Sequence, residues 1–560
     1  MKPFSEYPRP QLVRDSYICL NGEWEYAIRD KKDIPSSFDG KILVPYSPET
    51  PLSGVNRLVH PNEWLFYRTN LEFPKSFIKD KVILHFGAVD QIAEVFYNGK
   101  LIQKHAGGFL PFEFDIKPYI NSRGPNELIV RVRDYTDTSF YSRGKQKLKK
   151  GGIWYSPQSG IYMPVWMESV TNDYVKSLKI TPDIDKSLVI IKVVSKCKKA
   201  TLTLGNIKYQ IECNKEVEIP IKNRHLWTPE DPYLYPFTVK TEKDKISSYF
   251  AMRKISTFKD NDGYRKIALN NQPYFMKGVL DQGYYKEGFL TPKSDEDYIN
   301  DIQLVKSLGF NTARKHIKIE SLRWYYHCDR LGLLVWQDFV NGGAEYSIPT
   351  IVFPLILNIH SKDNKYAKFA RANANGRAMA EDEFIETVNL LYNCPCIVLW
   401  TIFNEGWGQF DSARIYEDMK KIDNTRLYDH ASGWHDQGVS DTKSLHVYFK
   451  RVKMPRAGQV KDRAVILSEA GGYELKIKGH CTKHNKSIYR SLRNSKALEN
   501  EYHKFIERDI LPNIPLGLSA FIYTQLSDVE DESNGFITYD RAKVKINPEI
   551  IKRDNERVKY

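Results

Sequence analysis

Residues 396–407 read Cys396-Ile397-Val398-Leu399-Trp400-Thr401-Ile402-Phe403-Asn404-Glu405-Gly406-Trp407. A nearly unbroken apolar run leads straight into Asn404-Glu405 and then a glycine. A short apolar run closed by a turn signal predicts a strand buried on both faces, as in parallel sheets. A carboxylate just past the end of such a strand sits where barrel folds hold their reactive groups. A second stretch has the same form: Ala464-Val465-Ile466-Leu467-Ser468-Glu469-Ala470-Gly471-Gly472.

Outward from these two stretches, strands and helices alternate from Asn261-Asp262-Gly263 to the end of the chain. Strands are expected at 274–279, 311–316, 333–338, 397–403, 427–430, 444–449, 465–469 and 518–524. Helices are expected at 297–308, 321–331, 371–391, 411–422 and 497–511. Alternation of this kind over residues 261–560 predicts a (β/α)₈ TIM barrel. No internal repeat or low-complexity segment interrupts it.

The preceding residues have a different texture. Val82-Ile83-Leu84-His85-Phe86, Ile92-Ala93-Glu94-Val95-Phe96-Tyr97 and Leu128-Ile129-Val130-Arg131-Val132 are short β-rich runs, the second ended by the hairpin signal Asn98-Gly99. Regular short strands without helical periodicity predict a jelly-roll β-sandwich over 1–170. Residues 171–260 continue with Leu188-Val189-Ile190-Ile191, Ala200-Thr201-Leu202-Thr203-Leu204 and Tyr235-Pro236-Phe237-Thr238-Val239, the pattern of an immunoglobulin-like sandwich. The expected architecture is therefore multidomain: two β-sandwiches, then a barrel.

Composition narrows the partners. The chain has 560 residues, 41% of them hydrophobic and 13% aromatic, ample for several cores. The net charge of +14 raises nucleic acid as a partner, but the basic runs, such as Lys145-Gln146-Lys147-Leu148-Lys149-Lys150, are scattered and no nucleic-acid motif accompanies them. They read as ordinary solvated lysine. The seven cysteines are spread out except for Cys394-Pro395-Cys396, which implies neither a disulfide framework nor a metal site. Residues 1–20 lack the apolar core of a signal peptide. No apolar run reaches the roughly 18 residues of a membrane span. A cytoplasmic protein, binding neither membrane nor nucleic acid, is the expectation.

The two strand-end glutamates carry the chemistry. Glu405 closes the fourth expected barrel strand and Glu469 the seventh. Strands three apart in an eight-membered ring face each other across the mouth, so both side chains can converge on one sugar. Glycoside hydrolysis needs such a pair, one carboxyl protonated to assist the leaving oxygen and one ionised.

Asn404-Glu405 after an apolar strand, and Ser468-Glu469 before Gly471-Gly472, resemble the two signatures of glycoside hydrolase family 2, the family of β-galactosidases, β-glucuronidases and β-mannosidases. Asn98-Gly99, Ser159-Gly160-Ile161, Gly309-Phe310-Asn311-Thr312-Ala313-Arg314, Gly332-Leu333-Leu334-Val335-Trp336 and Tyr523-Thr524-Gln525 sit where members carry similar segments. The resemblance implies that Glu405 is the acid/base and Glu469 the nucleophile of a retaining mechanism. It implies that Asn404 meets the sugar 2-hydroxyl, that Arg314 orients Glu469 and that Tyr448 touches it.

The chain also departs from the family pattern. Arg314-Lys315-His316-Ile317-Lys318 brings its histidine one place early, so His316 is only a candidate substrate contact. Gln337-Asp338-Phe339 replaces a common Asp-Glu, leaving Asp338 as another candidate. Trp407 and Trp434, on loops after the fourth and fifth strands, are candidates to stack on sugar faces. The histidine stretch that helps bind magnesium in large bacterial β-galactosidases has no counterpart, so no metal or other cofactor is expected. Asn494-Ser495-Lys496 has the letters of the glucuronidase carboxylate grip but precedes the eighth strand. The resulting expectation is a retaining exo-β-glycosidase, β-galactosidase-like, acting on an oligosaccharide or simple glycoside, with a homo-oligomer allowed. The alternatives are a β-glucuronidase-type hydrolase of acidic sugars, or a catalytically silent carbohydrate-binding protein.

Overall fold

A computed structural model describes residues 2–351, 354, 360–460, 462–482 and 489–560. The first unit packs two antiparallel sheets face to face. The smaller contains Tyr17–Cys19, Val165–Val170, Lys81–Phe86 and Phe112–Asp115; the larger runs Gly40–Val44, Gly22–Arg29, Trp64–Asn70, Glu127–Arg133, Ile92–Tyr97 and Lys100–Ala106. Alternation dictates which side chains fill the core: along Ile92–Tyr97 every second residue is buried, so Ala93, Val95 and Tyr97 stand beside Leu128 and Val130 of the neighbouring strand and pack with Leu84 and Phe86 of the other sheet. Asn98 and Gly99 take positive φ values of 47° and 77°, the turn that matches strand twist in a two-residue hairpin.

The second sandwich pairs Val175–Asp183, Leu188–Ser195 and Glu216–Pro220 on one side with Ile207–Glu212, Lys199–Leu204, Tyr235–Lys240 and Lys245–Phe250 on the other. Leu188–Ser195 again alternates, burying Val189, Ile191 and Val193. The N-terminal segment crosses both sandwiches: Val13 bridges to Ser247, and Arg14 pairs with Glu168 at 2.9 Å and Asp244 at 3.2 Å.

The barrel consists of β1 (Met276–Asp281), β2 (Thr312–Lys315), β3 (Leu334–Asp338), β4 (Ile397–Thr401), β5 (Leu427–Asp429), β6 (Thr442–Tyr448), β7 (Ala464–Gly471) and β8 (Leu518–Thr524). All ladders are parallel, and the order around the ring is β5-β4-β3-β2-β1-β8-β7-β6. Each of the eight strands lies within a few residues of its expected place. The ring has one seam: among the described residues no ladder joins β5 to β6. Side chains hold that seam, with Thr442 Oγ1 donating to Tyr428 O at 3.1 Å, Ser444 Oγ donating to Asp429, and Tyr428 N donating to Asp441 Oδ2 at 2.9 Å.

The N-terminal end of the barrel is plugged. A small sheet, Ile255–Lys259, Arg265–Leu269 and Gln272–Pro273, straddles residue 260 and presses Ile255, Ile267 and Leu269 against Met276, Leu334, Trp336, Leu399, Ile466 and Ile522. Burial of each such side chain stabilises the fold by roughly 1.5–3 kcal/mol. Chemistry is thereby confined to the opposite, C-terminal mouth. Among the helices around the barrel, Ala374–Leu391 begins where Asn373 caps it, accepting from Gly376 N at 2.9 Å. The helix expected at 497–511 divides into an α-helix over Ser495–Phe505 and tighter or wider turns up to Asn513. Among the described residues no helix is long and apolar enough to cross a membrane.

Candidate active site

Glu469 sits near the C-terminal end of β7, with its side chain only 6% exposed, and both carboxylate oxygens are engaged. Arg314 Nη1 donates to Oε1 at 3.0 Å and the Tyr448 hydroxyl donates to Oε2 at 2.5 Å. Burial alone would raise this carboxyl, but His446, Arg314, His316 and the Tyr448 hydroxyl hold it down at about 2. The Tyr448 hydroxyl also lies 3.1 Å from Thr524 Oγ1, and burial beside Glu469 pushes it well above the usual phenol range.

Arg314, at the end of β2 and wholly buried, is the hub. Its Nε donates to both oxygens of Asp338 at 2.9 and 3.1 Å, Nη1 also donates to Ser468 O at 3.0 Å, and Nη2 donates to Asn404 Oδ1 at 2.8 Å. One planar guanidinium thus ties the ends of β2, β3, β4 and β7. Burial opposes its charge, but Asp338 and Glu469 more than compensate, so its pKa is raised. Asp338 is lowered by Arg314 and His316 despite burial. His316 fixes its ring through Nδ1, 2.9 Å from Asp338 Oδ2, and burial depresses its pKa.

Glu405 has a different setting. Its backbone lies in the left-handed region at φ 51°, followed by Gly406 at 74°. For a residue with a Cβ this costs about 1–2 kcal/mol. The turn is held where Glu405 N donates to Ser432 O at 2.9 Å, on the loop after β5. The Glu405 side chain is 15% exposed and lies 3.3 Å from His446 Nδ1. The His446 side chain is shut off from solvent, with Nε2 3.0 Å from Ser432 Oγ and 3.8 Å from Glu469 Oε1. The loop makes room for it with Gly433: at φ 90°, a Cβ there would stand 2.6 Å from the imidazole. Trp434 packs edge-on against the same ring, centroids 5.3 Å apart.

Donor atoms of Glu405, His446 and Glu469 all lie within 4.8 Å of one another, the one group of this kind among the described residues. Arg314 and Tyr448 each already donate to one oxygen of Glu469 in this group. Among the buried polar atoms around the mouth that meet no hydrogen-bond partner are the donors Asn404 Nδ2, Trp407 Nε1 and Trp434 Nε1. Buried donors without partners are costly in a finished core and suit a site that awaits hydroxyls.

All nine candidates from the sequence (Glu405, Glu469, Asn404, Arg314, His316, Asp338, Tyr448, Trp407 and Trp434) stand at this mouth. Asp338 is occupied by Arg314 and His316, and Trp407 stacks beside Trp154 and Tyr346 with centroids 5.1 and 6.3 Å away. Sequence reasoning passed over His446, although it stands two residues before Tyr448 on one strand and so shares its face. It also misread Lys145, the first residue of a supposedly solvated basic run. That side chain is 6% exposed, its Nζ over the rings of Tyr155 and Trp407 and 3.4 Å from Glu532 Oε2. Asp528 is likewise internal, paired with Lys545 at 2.6 Å, while Glu530 accepts from Ser156 N at 2.9 Å and docks the first sandwich. Asn494 caps a helix and Lys496 is exposed beyond it, so neither belongs to the site.

A barrel whose mouth holds two facing glutamates, with two β-sandwiches ahead of it, defines a class of carbohydrate-active fold. Models of three consecutive parts of one family match the chain: the glycosyl hydrolases family 2 sugar binding domain at 18–165, the family 2 middle region at 164–253 and the family 2 TIM barrel domain at 262–503. The chain belongs to glycoside hydrolase family 2. A β-galactosidase of Thermoanaerobacter pseudethanolicus is 25% identical over 385 residues, 64% of this chain and 46% of its own length. A putative β-glucuronidase of Formosa agariphila is 24% identical over 349 residues, 58% of this chain and 37% of its own. The chain thus spans less than half the length of these relatives. Among solved structures, a β-D-glucuronidase of Dictyoglomus thermophilum superposes over 99% of both chains with TM-score 0.78 at 18% identity. A β-galacturonidase of Eisenbergiella tayi covers 99% of this chain and 100% of its own with TM-score 0.72, also at 18% identity.

Proposed function

We propose that this chain is a retaining exo-β-glycosidase in which Glu469 is the nucleophile and Glu405 the acid/base. The observation that carries the reading is the carboxylate gap: oxygens of the two side chains lie within 4.8 Å. Retaining glycosidases hold their carboxyls about 5–5.5 Å apart, whereas inverting ones leave room for a water at about 6.5–9.5 Å. Glu469, ionised and aimed by Arg314 and Tyr448, attacks the anomeric carbon. The bond to the leaving oxygen breaks as Glu405 gives that oxygen its proton. Glu405 then takes a proton from water, which displaces Glu469 and releases the sugar with its β configuration kept. Asn404 Nδ2, buried without a hydrogen-bond partner in the protein, meets the sugar 2-hydroxyl in this reading.

β-Galactosides are the first substrates to test, because the curated relatives include β-galactosidases. Acidic pyranosides are the second reading, supported by Lys145, a buried cation over Trp407 at the mouth. A panel of nitrophenyl β-glycosides (galactoside, glucoside, mannoside, glucuronide, galacturonide) tests both. Turnover with retention, seen by NMR of the first-formed anomer, supports the mechanism, and inversion overturns it. Calorimetric binding of a sugar without turnover of any panel member would instead mark a silent carbohydrate-binding protein.

A further inference from the structure

Beside the paired glutamates a cavity of about 570 Å³ opens along the unladdered edge of β6. It touches the reaction centre through His446 and Tyr448. Its remaining charged lining is of one sign: His360, Lys443, Lys450, Arg451 and Lys453, and among the described residues no Asp or Glu lines it. Asp436, on the loop after β5, is shared by Lys443 at 2.5 Å, Arg463 at 2.8 Å and His430 at 3.1 Å, so it does not offset Arg451 and Lys453. Trp434, 5% exposed, also lines the cavity, and its buried indole Nε1 has no hydrogen-bond partner.

The position fixes which half of a substrate this wall meets. In a double displacement the acid stands on the side of the leaving group. Glu405 is bonded to Ser432, and the same loop runs on through Gly433 to Trp434, so the cavity wall continues the wall that carries the acid. We propose that the cavity is a leaving-group subsite for an anionic sugar residue, one bearing a carboxylate or a sulfate ester. Trp434 donates to one of its oxygens while Arg451 and Lys453 neutralise the anion. This rests on the retaining mechanism above and concerns the residue released, not the sugar held by Glu469.

The test uses disaccharides with the glycone selected by the nitrophenyl panel and three leaving residues: glucose, glucuronic acid and glucose 6-sulfate. At low salt kcat/KM should favour an anionic leaving residue by roughly tenfold. The advantage should shrink in about 0.5 M NaCl and largely vanish in the Arg451→Gln, Lys453→Gln double variant. An advantage confined to the uronate or to the sulfate identifies the anion. Equal kcat/KM for all three, or an advantage that survives the double substitution, overturns the proposal. The nitrophenyl panel decides the glycosidase reading separately; should no disaccharide be hydrolysed, calorimetry with the same three compounds still decides the cavity. Preferential binding of an anionic one upholds it, and equal binding overturns it.

Discussion

The two glutamates at the mouth are chemically identical side chains in opposite settings. Glu469 is buried, bonded through both oxygens and held at about 2 against the penalty of burial by His446, Arg314, His316 and Tyr448. Glu405 rides on a left-handed turn, reaches solvent, and meets one imidazole. The difference matches a division of labour. A nucleophile must stay ionised and aimed throughout, so rigidity and cations serve it. An acid/base must gain and lose a proton in each cycle and admit water, so a partly open site with a single neighbour serves better.

The largest effect should come from breaking the rigid half. Glu469→Gln should lower kcat by roughly 10⁴-fold with the fold intact, read from initial rates beside a thermal melt. Activity within tenfold of the parent would erase the distinction. Glu405→Gln should act selectively, costing about 10²–10⁴-fold on glycosides with poor leaving groups and far less on a dinitrophenyl glycoside. Added azide should restore turnover by taking the place of water. Equal losses across leaving groups would deny Glu405 its role. Arg314→Lys keeps the charge but loses the fork that joins four strand ends, and a drop of roughly 10²-fold in kcat is expected.

A smaller effect sharpens the comparison through pH. The folded value of Glu469 lies below its unfolded value of about 4.3, so its contribution to stability is present above that value and is lost as pH falls through about 2. Tyr448→Phe removes a hydrogen bond to the ionised form. The acid limb of kcat/KM should therefore move up by about half to one pH unit while the alkaline limb stays. The smallest effect concerns Glu383, a partly buried carboxyl without a tight cation, bonded to the Ser142 hydroxyl and pushed up by desolvation to about 7. Here the sign reverses: stability falls as pH rises from about 4.3 through about 7. Glu383→Gln should stabilise the protein at pH 8 by about 1 kcal/mol, measured by denaturant titration, and do little at pH 4.

The barrel was legible because its strands are short apolar runs closed by polar residues, and β4 and β7 announce themselves through Asn404-Glu405 and Ser468-Glu469. His446 was legible too, by its two-residue spacing from Tyr448, but a histidine inside a strand carries no local mark of function. The role of Lys145 could not be read. Its partners, Trp407 and Glu532, are brought to it only when the first sandwich closes over the barrel, and no local pattern encodes a contact between such distant positions. The plug at 255–273 escaped for the same reason, since a hairpin looks alike whether it ends a sandwich or seals a barrel.

The first sandwich supplies part of the mouth. Arg143 N donates to Asn341 O at 2.9 Å, Trp154 packs on Trp407, and Tyr155 and Lys145 meet Glu532. Glu405 and Glu469 on the one hand, and one side of the mouth around them on the other, therefore come from different parts of the chain. Changes at residues 141–156 would reshape that side of the mouth while every barrel residue stays as it is, and removing that sandwich would expose Trp407 and Glu532 rather than trim an appendage.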